Sequence, residues 1–345
     1  MNRCDKLRKL FSDDEIIYIS SYPNVFYYSN FTSEDAFLVI TKERQILFTD
    51  SRYTIQAHLQ APDYEIIDIS ERNKTIKELK EEVLCYEEDN ITVKQYETLK
   101  TLNKTLKPYT SVIKKPRTVK DKYELLKIAK AEQLGDEAFS YILNRISPGR
   151  SEREIALELE FFMRKNGADA LSFETICASG IRSAMPHGTA SDKIIEKGDL
   201  LTMDFGCILD GYCSDMTRTV IVGQADERQK EIYDIVLKAQ LAALEVLKAG
   251  VKCSDADMAA RKVITDSGYG KNFGHSTGHS VGIEIHELPV LSAKSTDILE
   301  TGNVVTVEPG IYIEGFGGVR IEDLVQITSE KAVNLTKSEK KLLII

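Results

Sequence analysis

Short apolar runs separated by polar turns dominate the first hundred residues. Ala36–Ile40 and Gln45–Thr49 flank the polar tetrapeptide Thr41-Lys42-Glu43-Arg44, a pattern that predicts a β-hairpin. Residues 53–59 carry helical spacing, residues 64–69 read as a strand, and a charged helix is expected over about 74–83. The longest charge-free stretch, residues 16–33, is interrupted by Pro23, Asn24, Asn30 and several serines. It is too polar for a membrane-spanning helix or the core of a signal peptide. At residues 111–120 the run S-V-I-K-K-P-R-T-V-K sets a proline among basic side chains and predicts a linker. Two domains follow, 1–115 and 116–345.

Beyond the linker the apolar period lengthens to that of helices. Asp121 with Glu124 has the spacing of a capping box, Leu125, Ile128, Ala129 and Leu134 form a stripe, and Ser147-Pro148-Gly149 ends the helix. Ser151 and Glu154 repeat the cap for a second helix ending at Gly167. A third helix is expected from about 227 to 249, with Ile232, Ile235, Val236, Ala239 and Leu247 on one face, and a fourth from 254 to 268. Strands mixed with these helices place the chain in the α/β (α+β) class.

The second domain repeats itself. Residues 196–211, E-K-G-D-L-L-T-M-D-F-G-C-I-L-D-G, align with residues 300–315, E-T-G-N-V-V-T-V-E-P-G-I-Y-I-E-G, at a constant offset of 104 positions. Glycines fall on glycines (198 on 302, 206 on 310, 211 on 315), Thr202 on Thr306, and the carboxylate Asp204 on Glu308. Gly149 and Gly250 likewise precede similar helices that Gly167 and Gly268 end. Two matching halves imply a pseudo-twofold domain in which related carboxylates face each other across the axis. Around its hairpin the first half carries Asp204 and Asp215, the second Glu308 and Glu322. Their neighbours are strongly apolar, and an ionised carboxylate in such surroundings is costly unless it is paired or bound to a cation. Asp215 taken alone fits a solvated turn equally well. The repeat-related pair Asp204 and Glu308 does not.

Composition narrows the chemistry further. The chain has 345 residues, with 45 Lys and Arg against 54 Asp and Glu, a net charge of −9. That balance excludes a nucleic acid or an anionic membrane as partner, since both need a basic face. Six cysteines lie scattered without C-x-x-C pairing, which suits reduced thiols in the cytoplasm. Of the five histidines, His187, His275, His279 and His286 fall in one window, and His58 stands apart as a surface residue. His275, His279 and His286 are bracketed by Gly274, Gly278 and Gly282. One imidazole with four carboxylates is an oxygen-rich set that suits Mn²⁺, or a similar ion, better than a thiolate zinc site. Two ions sharing such carboxylates would polarise a carbonyl and supply hydroxide at neutral pH.

These residues also carry a resemblance. M-P-H-G at 185–188, M-D-F-G at 203–206, C-S-D-M-T-R-T at 213–219 and G-H-S-T-G-H-S-V-G at 274–282 belong to it, together with H-E-L-P at 286–289, V-E-P-G at 307–310 and G-G-V-R-I-E-D at 317–323. The chain resembles, over essentially its whole length, the pita-bread metallopeptidases: methionine aminopeptidase, aminopeptidase P, prolidase and the creatine-cleaving amidinohydrolase. F-T-D-S-R-Y at 48–53 is similar to the creatinase-type N-terminal domain. The resemblance implies a creatinase-type N-terminal domain followed by a pseudo-twofold pita-bread catalytic domain. It also implies two divalent ions per chain, Mn²⁺ first with Co²⁺ or Zn²⁺ as alternatives. Their ligands would be Asp204, Asp215, His279, Glu308 and Glu322, with Asp215 and Glu322 bridging. Glu308 would accept the proton of the attacking water. His187 and His286 would contact substrate and stabilise the tetrahedral intermediate, and His275 would line the pocket. Arg320 would orient a site carboxylate or gate the pocket, the alternative being a structural ion pair. A homodimer is implied as well.

The expected activity is hydrolysis of an Xaa-Pro bond. A dipeptidase must bind its substrate's free carboxylate, and between His286 and Glu308 the only basic residue is Lys294. That favours an Xaa-Pro aminopeptidase, acting on peptides with proline after the N-terminal residue, over an Xaa-Pro dipeptidase (prolidase). A creatinase-like C–N hydrolase and a non-catalytic binding protein are more remote, because members of those kinds lose ligand positions that are all filled here. Methionine aminopeptidase lacks the N-terminal domain.

Overall fold

Six short strands of the N-terminal unit pair into one sheet, in the order Glu65–Asp68, Gln45–Thr49, Ala36–Ile40, Glu15–Ile19, Val83–Tyr86 and Thr105–Pro108. The computed structural model describes residues 3–345, and the chain divides into two units, Met1–Arg117 and Thr118–Ile345. In the first unit the expected hairpin is present, with Ala36 opposite Thr49 and Ile40 opposite Gln45. Ile16, Tyr18, Val39, Phe48, Ile76 and Leu84 pack into the core of this unit. The charge-free stretch holds the strand Glu15–Ile19 and the helix Tyr22–Ser29, whose first turn is satisfied by Glu87 through Ser21 N at 2.9 Å and Ser21 Oγ at 2.6 Å.

Two local expectations differ from the structure. The charged helix is shorter, Arg72–Glu78, because Lys104 Nζ takes the carbonyls of Leu79 and Glu81 at 2.7 Å each and Val83 joins the sheet beside Glu15. The expected linker is a helix, Thr110–Thr118, with Pro116 inside it. Tyrosine hydroxyls serve its carbonyls: Tyr28 donates to Ile113 O at 2.7 Å and Tyr27 to Pro116 O at 2.9 Å.

The second unit is built twice. Three antiparallel strands, Ile176–Ser179, Leu200–Phe205 and Met216–Ile221, form the sheet of the first half. In the second half Gly278–Ser280, Val304–Val307 and Asp323–Ile327 form the same antiparallel arrangement, extended by Glu287–Leu291 and Ala332–Asn334. Two hydrophobic cores correspond to the halves. Helices Lys122–Leu143 and Glu152–Lys165 pack in one, Glu227–Val246 and Cys253–Asp266 in the other. The expected capping boxes at Asp121 and Ser151 are both formed. The first helix ends at Leu143, before Ser147, and the third at Val246. The repeat extends to the backbone: Gly198 and Gly302 have φ of 95° and 98°, and Gly211 and Gly315 have 79° and 73°. Glycine adopts that region at little cost, which is why the paired turns keep it.

Gly206 shows how closely the turn beside Asp204 is packed. A Cβ there would stand 2.0 Å from Ser214 O, a backbone atom that cannot move aside alone. Gly206→Ala is expected to destabilise the catalytic unit by about 1–3 kcal/mol in denaturant unfolding. Gly135→Ala, in the middle of helix Lys122–Leu143, would meet only Ser214 Oγ at 4.0 Å. It should be neutral or stabilise by up to about 1 kcal/mol.

Candidate active site

Strand ends place the carboxylates. Asp204 lies near the end of strand Leu200–Phe205, opposite Thr217, and Asp215 directly precedes the partner strand Met216–Ile221. In the other half Glu308 follows strand Val304–Val307 and Glu322 precedes Asp323–Ile327, with Val307 opposite Asp323. His279 stands in strand Gly278–Ser280, where Gly278 lets the chain approach: a Cβ there would lie 2.0 Å from Thr306 O. His279 N then donates to Thr306 Oγ1 at 3.0 Å.

The structure brings all five of these side chains together. Ligand-competent atoms of Asp215, His279 and Glu322 lie within 4.8 Å of one another. His279 Nε2 is 3.5 Å from Asp215 Oδ2 and 3.5 Å from Glu308 Oε1. Asp215 and Glu322 are buried, at 4% and 1% exposure, so Asp215 is no solvated turn residue. Burial, and then the neighbouring Glu322, Asp204 and Glu308, hold Asp215 well above the usual carboxylate range. Burial followed by Glu308 and Asp204 does the same to Glu322. Burial pushes Glu308 up to about 7 against the opposing pull of Arg320. Hydroxyls hold two of the carboxylates: Thr217 donates to Glu322 Oε2 at 2.7 Å and Thr306 to Glu308 Oε1 at 3.2 Å.

A cavity of about 500 Å³, within the usual range for small-ligand sites, opens onto this cluster. His187, His275 and His286 line it with Phe173, Ile176, Ile285 and Val290. His286 stacks edge-on against His279, ring centroids 4.4 Å apart. Burial, then His279, lowers the His286 pKa, and burial followed by Arg320 lowers that of His275 to about 4. Both are therefore neutral imidazoles near pH 7. Arg320 NH2 bonds Asp204 Oδ2 at 2.6 Å while NH1 reaches Pro186 O at 3.0 Å and the Tyr312 hydroxyl at 2.8 Å. The arginine is thus held in a buried ion pair with a site carboxylate. His275 Nδ1 donates to Ser276 O at 2.8 Å, which leaves Nε2 to accept from Tyr312 at 2.9 Å. His58 is exposed on helix Thr54–Gln60 of the first unit.

Tyr312, Thr217 and the apolar wall are absent from the sequence-based set. Tyr312 left one trace: at the repeat offset it falls on Ile208, so a polar ring replaces an aliphatic side chain where the two halves otherwise match.

The donor set fits divalent cations. Asp204 Oδ1 is buried with no hydrogen-bond partner among the described residues. His279 Nδ1 donates to Ser280 O at 3.2 Å, so its Nε2 lone pair points into the carboxylates. A lone pair facing anions is repulsive until a cation lies between them, and a ligating histidine commonly fixes its tautomer through such a carbonyl.

Comparison with known proteins agrees with this chemistry. The model of metallopeptidase family M24 matches residues 127–329, and that of the creatinase/prolidase N-terminal domain matches residues 3–119. The chain belongs to metallopeptidase family M24. It is a hydrolase of a family that works with divalent metal ions. A Xaa-Pro dipeptidase of Pyrococcus furiosus is 39% identical over 345 residues, 99% of each chain. The solved structure of a Xaa-Pro dipeptidase from Bacillus anthracis matches with a TM-score of 0.97 and 46% identity over 99% of both chains. That of an X-Pro aminopeptidase from Thermotoga maritima matches at 0.93 and 37%, covering 100% of both.

A pH dependence follows for this M24 peptidase without metal. Glu308 has an ordinary value of 4.5 and a folded value of about 7, so between these the folded state holds a proton that the unfolded chain has released. The contribution of Glu308 to stability is therefore full below pH 4.5 and lost as the pH rises to about 7, with Asp215 and Glu322 acting in the same direction. Chelator-treated protein should melt at progressively lower temperature across that window. Added Mn²⁺ should raise the melting temperature more at pH 7.5 than at pH 5.5. A shift of equal size at both would contradict it.

Proposed function

We propose that this chain is an Xaa-Pro dipeptidase that holds two divalent ions in the Asp204, Asp215, His279, Glu308 and Glu322 cluster. The observation that carries the reading is that cluster: buried carboxylates with raised proton affinity around one imidazole lone pair, at the floor of a cavity lined by further histidines. Bound ions supply Lewis acidity for the scissile carbonyl and acidify the attacking water. Glu308, whose Oε1 lies 3.5 Å from His279 Nε2 beside the cavity, accepts that water's proton and returns it to the leaving nitrogen. His187 and His286 reach the cavity and donate to the carbonyl oxygen as it gains charge. His275, with both ring nitrogens engaged, is a wall of the pocket that also holds Tyr312 beside Arg320. Manganese is the ion favoured by the oxygen-rich set, ahead of cobalt or zinc.

Dipeptide specificity replaces the aminopeptidase favoured on Lys294 being the only basic residue between His286 and Glu308. Full-length relatives named as dipeptidases support it, with the Thermotoga maritima neighbour on the other side. Arg320 is committed to Asp204, and the cavity lining offers Thr189 and Ser276 as further polar residues beside the histidines. Six buried, unbridged cysteines suit the cytoplasm, and no helix among the described residues is long and apolar enough to cross a membrane. We also expect a homodimer.

The deciding experiment compares Ala-Pro with Ala-Pro-Ala. The dipeptide should be hydrolysed with kcat/KM at least about tenfold higher. Preference for the tripeptide returns the aminopeptidase. His187→Ala should lower kcat by about 10²–10³ with little change in bound metal.

A further inference from the structure

Three ion pairs outside the metal-ligand cluster, each built on a buried carboxylate, share a feature that stability alone does not require. Each fixes the segment carrying one of the three histidines placed around the substrate. Glu152, fully buried in the first turn of helix Glu152–Lys165, closes both ends of the loop 179–191 that bears His187. It accepts from Ser179 N at 2.7 Å at one end, from Ser191 N at 3.1 Å and Ser191 Oγ at 2.7 Å at the other, and from Arg182 Nε at 3.0 Å between them. Arg182 NH2 continues to Thr189 O at 2.7 Å.

The second half repeats the device. Asp257, fully buried in helix Cys253–Asp266, accepts from Thr277 N at 3.2 Å and Thr277 Oγ1 at 2.9 Å and pairs with Arg261 Nε at 2.9 Å. Arg261 then donates to Phe273 O at 2.9 Å and to His275 O at 2.8 Å. The third pair is Lys120 with Glu287, side chains 1% and 6% exposed. Lys120 Nζ bonds Ser280 Oγ at 3.0 Å and Glu287 Oε2 at 3.1 Å, so one ammonium joins the residues that follow His279 and His286. Glu287 Oε1 also accepts from Ile283 N at 3.0 Å, closing the turn before His286.

Desolvating such charges costs about as much as their attraction returns, and apolar packing would often stabilise equally well. What an ion pair adds is direction, since each carboxylate fixes several backbone groups at defined angles. We propose that Glu152–Arg182, Asp257–Arg261 and Lys120–Glu287 are positioning pairs, each setting one imidazole, His187, His275 and His286 respectively, against the substrate. This rests on the role given to those histidines above.

Double-mutant cycles test it on the metal-loaded full chain. Asp257→Asn should lower kcat/KM for Ala-Pro by about ten- to hundredfold, the loss expected when a group in the site is misplaced by an ångström. Its manganese affinity in equilibrium dialysis should stay within about twofold. In the His275→Ala background the same substitution should change kcat/KM less than about twofold, whereas Glu152→Gln should there keep its full effect. Equal losses from Asp257→Asn in both backgrounds would mean a general structural role and overturn the proposal alone. If His275→Ala itself costs nothing, the role of that histidine fails and its clamp with it. Should Asp257→Asn not fold, Arg261→Lys, which keeps the charge but not the two carbonyl contacts, runs the same cycle with the same criteria.

Discussion

Buried carboxylates that repel one another are the constraint around which the catalytic unit is organised. Asp215, Glu308 and Glu322 hold protons far more tightly than free carboxyl groups do, and a histidine lone pair is aimed at them. A protein gains nothing in stability from such an arrangement. It persists because the surrounding backbone leaves these side chains no other place, and because cations relieve it.

The backbone behind the cluster is correspondingly over-determined. Asp215 N donates to the buried Glu132, which also takes the Thr336 hydroxyl at 2.6 Å. Beneath Glu322, Arg218 donates to Glu322 O and pairs with Asp323 at 2.8 Å, while Asp323 Oδ2 receives Gln240, Asn334 and Lys340. Residues from the C-terminal segment thus brace strands of both halves. Arg320 performs the corresponding task on the open side, tying Asp204 to the Pro186 carbonyl next to His187. Rigidity of this kind holds the imidazoles and carboxylates at fixed positions around the cavity.

Local signals made much of this legible. The hairpin at Ala36–Ile40 and Gln45–Thr49, the capping boxes at Asp121 and Ser151, and the glycine-paired repeat each depend on residues within a few positions or at one fixed offset. The repeat alone pointed from Asp204 to Glu308. The interactions that hold the site are of another kind. Lys120 and Glu287 lie 167 positions apart and Thr336 and Glu132 lie 204 apart, and no pattern in a single sequence reports such a pairing. The helix Thr110–Thr118 was hidden for the same reason, since the tyrosines that bond its carbonyls come from another helix. The short segment after His286 carries only part of the information on specificity, since the cavity takes its walls from both halves.

Metal content read together with activity tests the central claim most directly. Protein saturated with manganese, freed of excess ion by gel filtration and assayed by elemental analysis should retain close to two ions per chain, as a bridged two-metal site requires. Asp215→Asn, which alters a carboxylate at the centre of the proposed metal site, should retain fewer than one and hydrolyse no Xaa-Pro bond. Full activity in wild-type protein stripped of metal, or an Asp215→Asn variant that keeps both ions, would contradict the account.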